Sequence, residues 1–273
     1  MRLFILAVIT LLLAGCSAKE QLSVVAFKVG KADSFLVYAQ GKHILIDTGE
    51  DDDGQKITDY LRHNNVKKLD VLIITHFDKD HVGGADYIIK QIQIDTIYTP
   101  NYYSDSKQTT EFWDAVATKN LNVTTLTNDV HVSIADMDIT IMSPKHSYEF
   151  DNDRSLVTSI TFKETSFLFT GDIMEQRIAD MLKDNELTTH TFLKVPHHGR
   201  YNAQTDALIA AVQPTIAIIP SSNKNVEDEE VVKQLQNIGA NILTTKNENI
   251  LLNTDGSTIN GFTESEKPYS SSY

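Results

Sequence analysis

Two histidines and two aspartates crowd into the stretch Thr75-His76-Phe77-Asp78-Lys79-Asp80-His81, between the apolar run Val71-Leu72-Ile73-Ile74 and the glycines of Val82-Gly83-Gly84. An uncharged Val/Ile/Leu run predicts a buried strand, so imidazoles and carboxylates are delivered together to one strand end, where they would hold a divalent metal ion. A solvated turn is the competing reading, because Asp and Gly are ordinary turn residues. A turn does not call for His at both ends of the span, however, and two later strand ends carry similar groups. Phe167-Leu168-Phe169-Thr170 leads into Gly171-Asp172, and Phe192-Leu193-Lys194-Val195-Pro196 leads into His197-His198-Gly199. Adjacent side chains on a strand point to opposite faces, so one histidine of that pair is expected to bind metal while the other contacts substrate or packs. The only cysteine is Cys16, which leaves His, Asp and Glu as the ligand types.

These groups can meet only if the strands that carry them end side by side. Strands are predicted over 24–29, 34–38, 43–46, 69–75, 95–99, 123–126, 130–134, 137–142, 156–162, 167–170, 192–196, 215–219, 241–244 and 250–253. Helices are predicted around Ile57, Tyr60 and Leu61, over 85–90, around Phe112, Trp113 and Val116, and over 173–183, 205–212 and 227–238. Asp47 ends the third strand and is expected to support the ligands, whereas His43 reads as an edge-strand residue outside the site. The acidic run Glu50-Asp51-Asp52-Asp53 lacks the alternating spacing and terminal Glu of a calcium loop, and suits a helix N-terminus instead. Tyr102 and Tyr103 fit either a substrate groove or a surface loop. One domain over 23–262 with a loose polar tail, 263–273, is the simplest division.

Composition restricts the partners. The 273 residues are 41% hydrophobic, enough for a sizeable core, and 24 Lys+Arg against 37 Asp+Glu give a net charge of -13. Such a surface does not attract nucleic acid or anionic lipid by its overall field, so a polyanion would have to be held locally. Arg2, the apolar Leu3 to Leu13 and the small residues Ala14-Gly15 make residues 1–15 a signal peptide. Leu13-Ala14-Gly15-Cys16 resembles a bacterial lipobox, which implies cleavage before Cys16 and diacylglycerol on its thiol. Residues 16–22 would then form a lipidated tether, with the domain extracytoplasmic and anchored to the cell membrane. A cleaved secretory peptide followed by a free cysteine is the alternative.

The set His76, Asp78, Asp80, His81, Asp172 and His197-His198 resembles the metal-binding signature of the metallo-β-lactamase superfamily. Asp78 stands where its His-x-His-x-Asp-His motif has the second histidine. Together with 28–34, 44–49, 152–156, 169–172 and 193–199, the set is most similar to the metallo-hydrolase domain of ComEC-type competence proteins. The resemblance implies an α/β fold, a four-layer αββα sandwich, with two divalent metal ions along one edge. His76 and Asp78 would hold one ion and Asp80 and His81 the other. Asp172 would bridge them, and one of His197 and His198 would complete the second site. Lys194 would meet a substrate phosphate, with Asp33, Asn152 and Ser155 supporting the ligands. The chain departs from the pattern at Asn152 and Ser155, where the wider family has its third histidine motif. It departs again at Arg200-Tyr201, in place of a usual Ser, and at Lys31-Ala32, in place of Gln-Gly.

A carboxylate in place of a histidine hardens the donor set and admits Mn²⁺ beside Zn²⁺. Two such ions sharing a bridging water suit in-line attack on a phosphodiester, with Asp80 or Asp172 orienting the resulting hydroxide. The leading expectation is therefore a phosphodiesterase or nuclease acting on DNA or an envelope component. A hydrolase of esters, thioesters or lactams is the first alternative, since one fold supports many chemistries. A non-enzymatic surface lipoprotein of a DNA-uptake or envelope system is the second. Costly polar groups gathered at strand ends weigh against that last reading.

Overall fold

Strands of two kinds build the molecule, and their pairing decides where the chemistry can sit. The computed structural model describes residues 21–266, so the expected signal peptide, Cys16 and most of the expected tether lie outside the described residues. One sheet has the spatial order β15-β14-β1-β2-β3-β4-β5-β6. Its members are β1 (Leu22–Ala26), β2 (Phe35–Ala39), β3 (Lys42–Ile46), β4 (Lys68–Ile73), β5 (Gln93–Pro100), β6 (Val123–Leu126), β14 (Ile250–Thr254) and β15 (Ile259–Thr263). The other has the order β13-β12-β11-β10-β9-β8-β7. It contains β7 (Val130–Ile134), β8 (Met137–Met142), β9 (Val157–Phe162), β10 (Thr165–Phe169), β11 (Phe192–Lys194), β12 (Ile216–Ile219) and β13 (Asn241–Thr244).

Alternation along the strands assigns each face. Ile44, Ile46, Val71 and Ile73 point into a core shared with Phe167, Phe169 and Phe192 of the opposite sheet. Phe35 meets Phe169 edge-on across the sheets, with ring centroids 5.4 Å apart. Each such buried side chain contributes about 1.5–3 kcal/mol by leaving water. The intervening Leu45 and Leu72 face outward onto α1 (Asp53–His63), α3 (Ala85–Gln91) and α4 (Lys107–Lys119), through Ile57, Leu61, Ile88 and Phe112. On the far side Leu168 and Leu193 pack against α5 (Glu175–Lys183), α6 (Thr205–Val212) and α7 (Glu229–Asn237). The result is a four-layer αββα sandwich.

Both sheets change character at one strand. In the first, β1, β2 and β3 pair antiparallel while β3 to β6 pair parallel. In the second, β7 to β10 pair antiparallel and β10 to β13 parallel. The polar segments singled out above leave the carboxyl ends of β3 and β4 on one side and of β10 and β11 on the other. The carboxyl ends of strands beside such a switch are where open α/β sheets bind ligands.

Four local expectations change. The stretch after β4 is not all loop, since Lys79–Val82 forms a single helical turn, α2, too short to show a period in sequence. Leu22, expected in the tether, opens β1, and Asn260 and Gly261 sit inside β15, an edge strand that tolerates residues strands usually avoid. The tail does not begin at Thr263: that residue ends β15, and Glu264–Glu266 adds a 3-10 turn fixed by Glu264 N–H donating to Asn249 O at 3.0 Å. Residues 267–273 of the expected tail lie outside the described residues.

At the amino end of β4, away from the site, Asp70 accepts from Lys42 Nζ at 2.9 Å and from the His43 backbone at 3.0 Å, with Lys68 Nζ at 3.2 Å. Burial alone would raise its pKa, but these donors hold it down at about 2. Such a carboxylate adds stability that is complete above its unfolded value of 3.8 and is lost as pH falls toward 2. Asp70→Asn is expected to destabilise the fold by about 1 kcal/mol at neutral pH. In urea unfolding, that difference should shrink as the pH is taken below 3.8.

Candidate metal centre

Asp47 is the pivot of the site. It follows β3 in the left-handed region, with φ 58°, and its N–H donates to Ile73 O at 2.9 Å. Its carboxylate then accepts the Thr75 N–H at 2.8 Å, the Thr75 hydroxyl at 2.7 Å and the His81 ring at Nδ1, 2.8 Å away. Because Nδ1 must carry the proton in that bond, His81 presents a bare Nε2 to the interior. The same reasoning extends to His76. The Thr75 hydroxyl donates to Asp47, so it accepts from His76 Nδ1 at 3.1 Å, and Nε2 of His76 is likewise left bare. Asp80 sits next to His81 in the single turn of α2, and Gly84 lets α2 lie against the end of β3. A Cβ on Gly84 would come within 2.4 Å of Thr48 O.

The second sheet supplies the opposite wall. Gly171 follows β10 at φ 54° beside Ser155, where a Cβ would lie 2.8 Å from that residue's Cβ. Asp172 N–H donates to Ser155 Oγ at 3.2 Å, and Ser155 Oγ lies 3.3 Å from His76 Nδ1. Asp172 Oδ2 then sits 3.2 Å from His81 Nε2 and 2.9 Å from His198 Nε2. Asp80 Oδ2 is 3.5 Å from the same His198 atom. Four groups of donors converge: His76, His81 and Asp172; Asp80, His81 and His198; Asp33, Asp172 and His198; and Asp33, Asp47 and His81. Within each, the donor atoms lie within 4.8 Å of one another.

Nε2 of His76, of His81 and of His198 and Oδ1 of Asp33 are buried without a hydrogen-bond partner. Buried polar atoms are seldom left so, and three bare imidazole nitrogens among carboxylates fit divalent cations. Charge leads to the same place. Burial would raise the Asp172 pKa, yet His198, Lys194 and His81 bring it well below the usual carboxylate range. Burial would lower the pKa of His198, but Asp172, Asp33 and Asp80 push it up to about 10, and Asp172, Asp47 and Asp33 raise His81 in the same way. The carboxylates draw protons onto the rings when no other cation compensates them, and a bound ion would displace those protons.

The expected residues are distributed unevenly. His76, Asp80, His81, Asp172 and His198 converge, with Asp33 and Asp47 among them. Asp78 stands at the rim: its Oδ2 is 3.7 Å from His76 Nε2, and its side chain is 42% exposed. His197 and His198 do not lie on a strand. Both take left-handed conformations, φ 47° and 54°, in the turn Pro196–Gly199, and this turn rather than strand alternation sends them apart. His198 enters the centre while His197 faces a neighbouring cleft of about 580 Å³, lined also by Phe150, Met174, Arg200 and Tyr201. Asn152 acts through its backbone, its carbonyl accepting Ser155 N–H at 3.0 Å. Lys194, expected to meet a substrate phosphate, is 1% exposed and engaged with Asp33 Oδ2 at 2.5 Å, Gly171 O at 2.6 Å and Asp172 Oδ1 at 2.9 Å. Strand alternation places it with Phe192 on the face between the sheets, so it braces carboxylates from beneath.

Sequence reasoning missed the roles of two residues. Tyr102 Oη accepts the Phe77 N–H at 2.7 Å, fixing the backbone between His76 and Asp78. Lys31 Nζ lies 2.6 Å from Asp80 Oδ2. Tyr102 was visible as a groove or loop residue but not as a backbone prop, and Lys31 was visible as a departure from the family pattern.

The model of the Metallo-beta-lactamase superfamily matches residues 28–222. The chain belongs to that superfamily. It is 25% identical over 239 residues to ComE operon protein 3 of Bacillus subtilis, covering 80% of this chain and 31% of that protein. It is 26% identical over 240 residues to Competence protein ComA of Neisseria gonorrhoeae, covering 83% and 31%. The chain spans less than a third of the length of either relative. In fold it is similar to Igni18, a metallo hydrolase from Ignicoccus hospitalis, with TM-score 0.56 and 17% identity over 85% of this chain and 98% of that one. Divalent metal binding follows from the superfamily fold and the donor clusters together.

His198→Ala is expected to weaken the affinity for Zn²⁺ or Mn²⁺ by at least about tenfold, while His197→Ala leaves it within about twofold. Isothermal titration of the metal-stripped chain measures both, and equal losses would refute the division of labour.

Proposed function

We propose that the chain is a metal-dependent phosphodiesterase. What carries this reading is the donor set itself, in which the bare Nε2 atoms of His76, His81 and His198 surround the carboxylates of Asp80 and Asp172. So many oxygen donors make a hard site, suited to ions that engage phosphoryl oxygens. The proposed complement is two ions, Zn²⁺ or Mn²⁺. His76, Asp78 and Asp172 would hold one, and Asp80, His81, His198 and Asp172 the other. When bound, they would supply Lewis-acid polarisation of the phosphoryl group and activation of the attacking water.

The chain's own residues prepare that chemistry. Asp47 and Thr75 fix the tautomers and orientation of two imidazoles, so no rearrangement is needed at the moment of reaction. Lys194 ties down Asp172 Oδ1 and leaves Oδ2 to face the histidines. Burial would raise the Asp80 pKa, but His198, His81 and Lys31 bring it below its usual range. Asp80 and Asp172 are thus kept ionised, as ligands and water-orienting groups rather than as proton carriers. The cleft beside His197 gives a leaving group space next to the centre. Similarity to a protein named for competence supports DNA as the source of the phosphodiester, and a phosphodiester of the envelope is the second source. With a net charge of -13, affinity for either must come from the site and not from the surface.

Anchoring is part of the same proposal. No helix among the described residues is long and apolar enough to cross a membrane, and Cys16 would carry the lipid. Cys16→Ser is expected to move the protein from the detergent phase to the aqueous phase on Triton X-114 partitioning. Metal-stripped protein reloaded with Mn²⁺ or Zn²⁺ is expected to cleave an activated phosphodiester, with Asp172→Asn lowering kcat/KM about a hundredfold or more. Cleavage confined to a lactam or thioester in the same assay would overturn the phosphodiester reading.

A further inference from the structure

Two lysines reach the metal centre, and only one has hydrogens to offer. Lys194 is buried, and its ammonium already serves Asp33, Gly171 and Asp172, one acceptor for each proton. Lys31 is the opposite case. Its side chain is 38% exposed, and Asp80 Oδ2, at 2.6 Å, is the one acceptor on its Nζ among the described residues. An ammonium carries three donors, so Lys31 reaches the rim with hydrogen bonds to spare.

Its base is rigid. Gly30 turns the chain at φ 75°, Ala32 N–H donates to Val29 O at 3.3 Å, and Asp33 N–H donates to Asp80 O at 3.1 Å. The loop that carries Lys31 is therefore tied to the helical turn that carries Asp80. Other cations nearby are directed elsewhere. Lys79 Nζ faces Glu50 at 3.8 Å, Arg200 pairs with Asp228 at 2.8 Å, and Arg154 bonds to Asp151 and to Tyr148 O.

The oxygen that Lys31 binds belongs to the donor group of Asp80, His81 and His198. Asp80, His81 and His198 would hold a divalent cation there, and Lys31, sharing Asp80 with it, would have donors free for a further partner. An anionic oxygen of a substrate at the rim would be such a partner. We propose that Lys31 binds the charged nonbridging oxygen of a phosphodiester and thereby selects anionic phosphodiesters over uncharged substrates. This rests on the phosphodiesterase reading and adds the residue that recognises charge. It also answers the problem set by an acidic surface, because one local cation at the rim replaces the missing long-range attraction.

The test compares two substrates with one leaving group and a difference of one charge: bis(p-nitrophenyl) phosphate and its methyl triester. Full-length protein, Lys31→Gln and Lys31→Arg are loaded with Mn²⁺, and metal affinity is measured for each. Lys31→Gln is expected to raise KM for the diester about tenfold with the triester unchanged, while Lys31→Arg keeps KM within about threefold. Metal affinity should not fall in either variant. Equal loss on diester and triester, or a loss of metal affinity that accounts for the rate, would overturn the proposal and make Lys31 a prop for Asp80. If the wild type cleaves neither compound, the phosphodiesterase reading fails by itself, and calorimetry with inorganic phosphate decides on Lys31. A tenfold weaker phosphate affinity in Lys31→Gln upholds the anion site, and unchanged affinity removes it.

Discussion

Buried negative charge is the constraint on which this structure depends. Asp33, Asp47, Asp80 and Asp172 are almost wholly removed from water where the two sheets meet. Isolated carboxylates in such a place would be untenable, so each must be matched by a cation or by strong donors. Asp47 is satisfied by Thr75 and His81, and Asp33 and Asp172 share Lys194. What remains is an excess of oxygen donors facing bare imidazole nitrogens, an arrangement that makes sense only with further positive charge. Lys194, Lys31 and the raised pKa values of His81 and His198 all express this one demand.

Placing these groups has a conformational cost. Asp47, His197 and His198 all occupy the left-handed region without being glycine. Residues held there cost on the order of 1–3 kcal/mol each and persist only when their surroundings over-determine them. Asp47 is pinned by bonds from both β4 and α2. The histidine turn is closed by Arg200 N–H donating to His197 O at 3.0 Å and by Asp228 N–H donating to Gly199 O at 2.9 Å. The shared core between the sheets provides the rigidity that makes such local strain tolerable.

Much of this was legible in the chain because β3, β4 and β10 are short apolar runs that stop abruptly at polar groups. Their sheet order and the antiparallel-to-parallel switch were not, since pairing is decided by distant contacts such as Phe35 with Phe169. Strand alternation implied one ligand from His197-His198, yet the separation comes from a left-handed turn with no sequence signature beyond Gly199. Lys194 was visible as a lysine near the site, but its direction depends on the register of β11 against β10, which puts it opposite Phe169. The helical turn at Lys79–Val82 is too brief for any periodicity to announce. Tyr102 acts through one hydroxyl on a backbone amide distant in sequence, a contact that only tertiary structure creates.

Lys194 also governs how freely the ligands can rearrange. A carboxylate that binds metal can swing between using one oxygen and using two, a freedom that a bound ion would exploit. Here Asp172 Oδ1 is tied to a buried ammonium whose remaining hydrogens are also in use. Rotating the carboxylate would break that bond where no water can replace it. The wall of the centre made by the second sheet is therefore a fixed template, and adjustment is confined to the half-exposed Asp78 on the opposite rim. A metal ion entering the centre would meet that fixed wall, with the more exposed Asp78 as the pliant group at the rim.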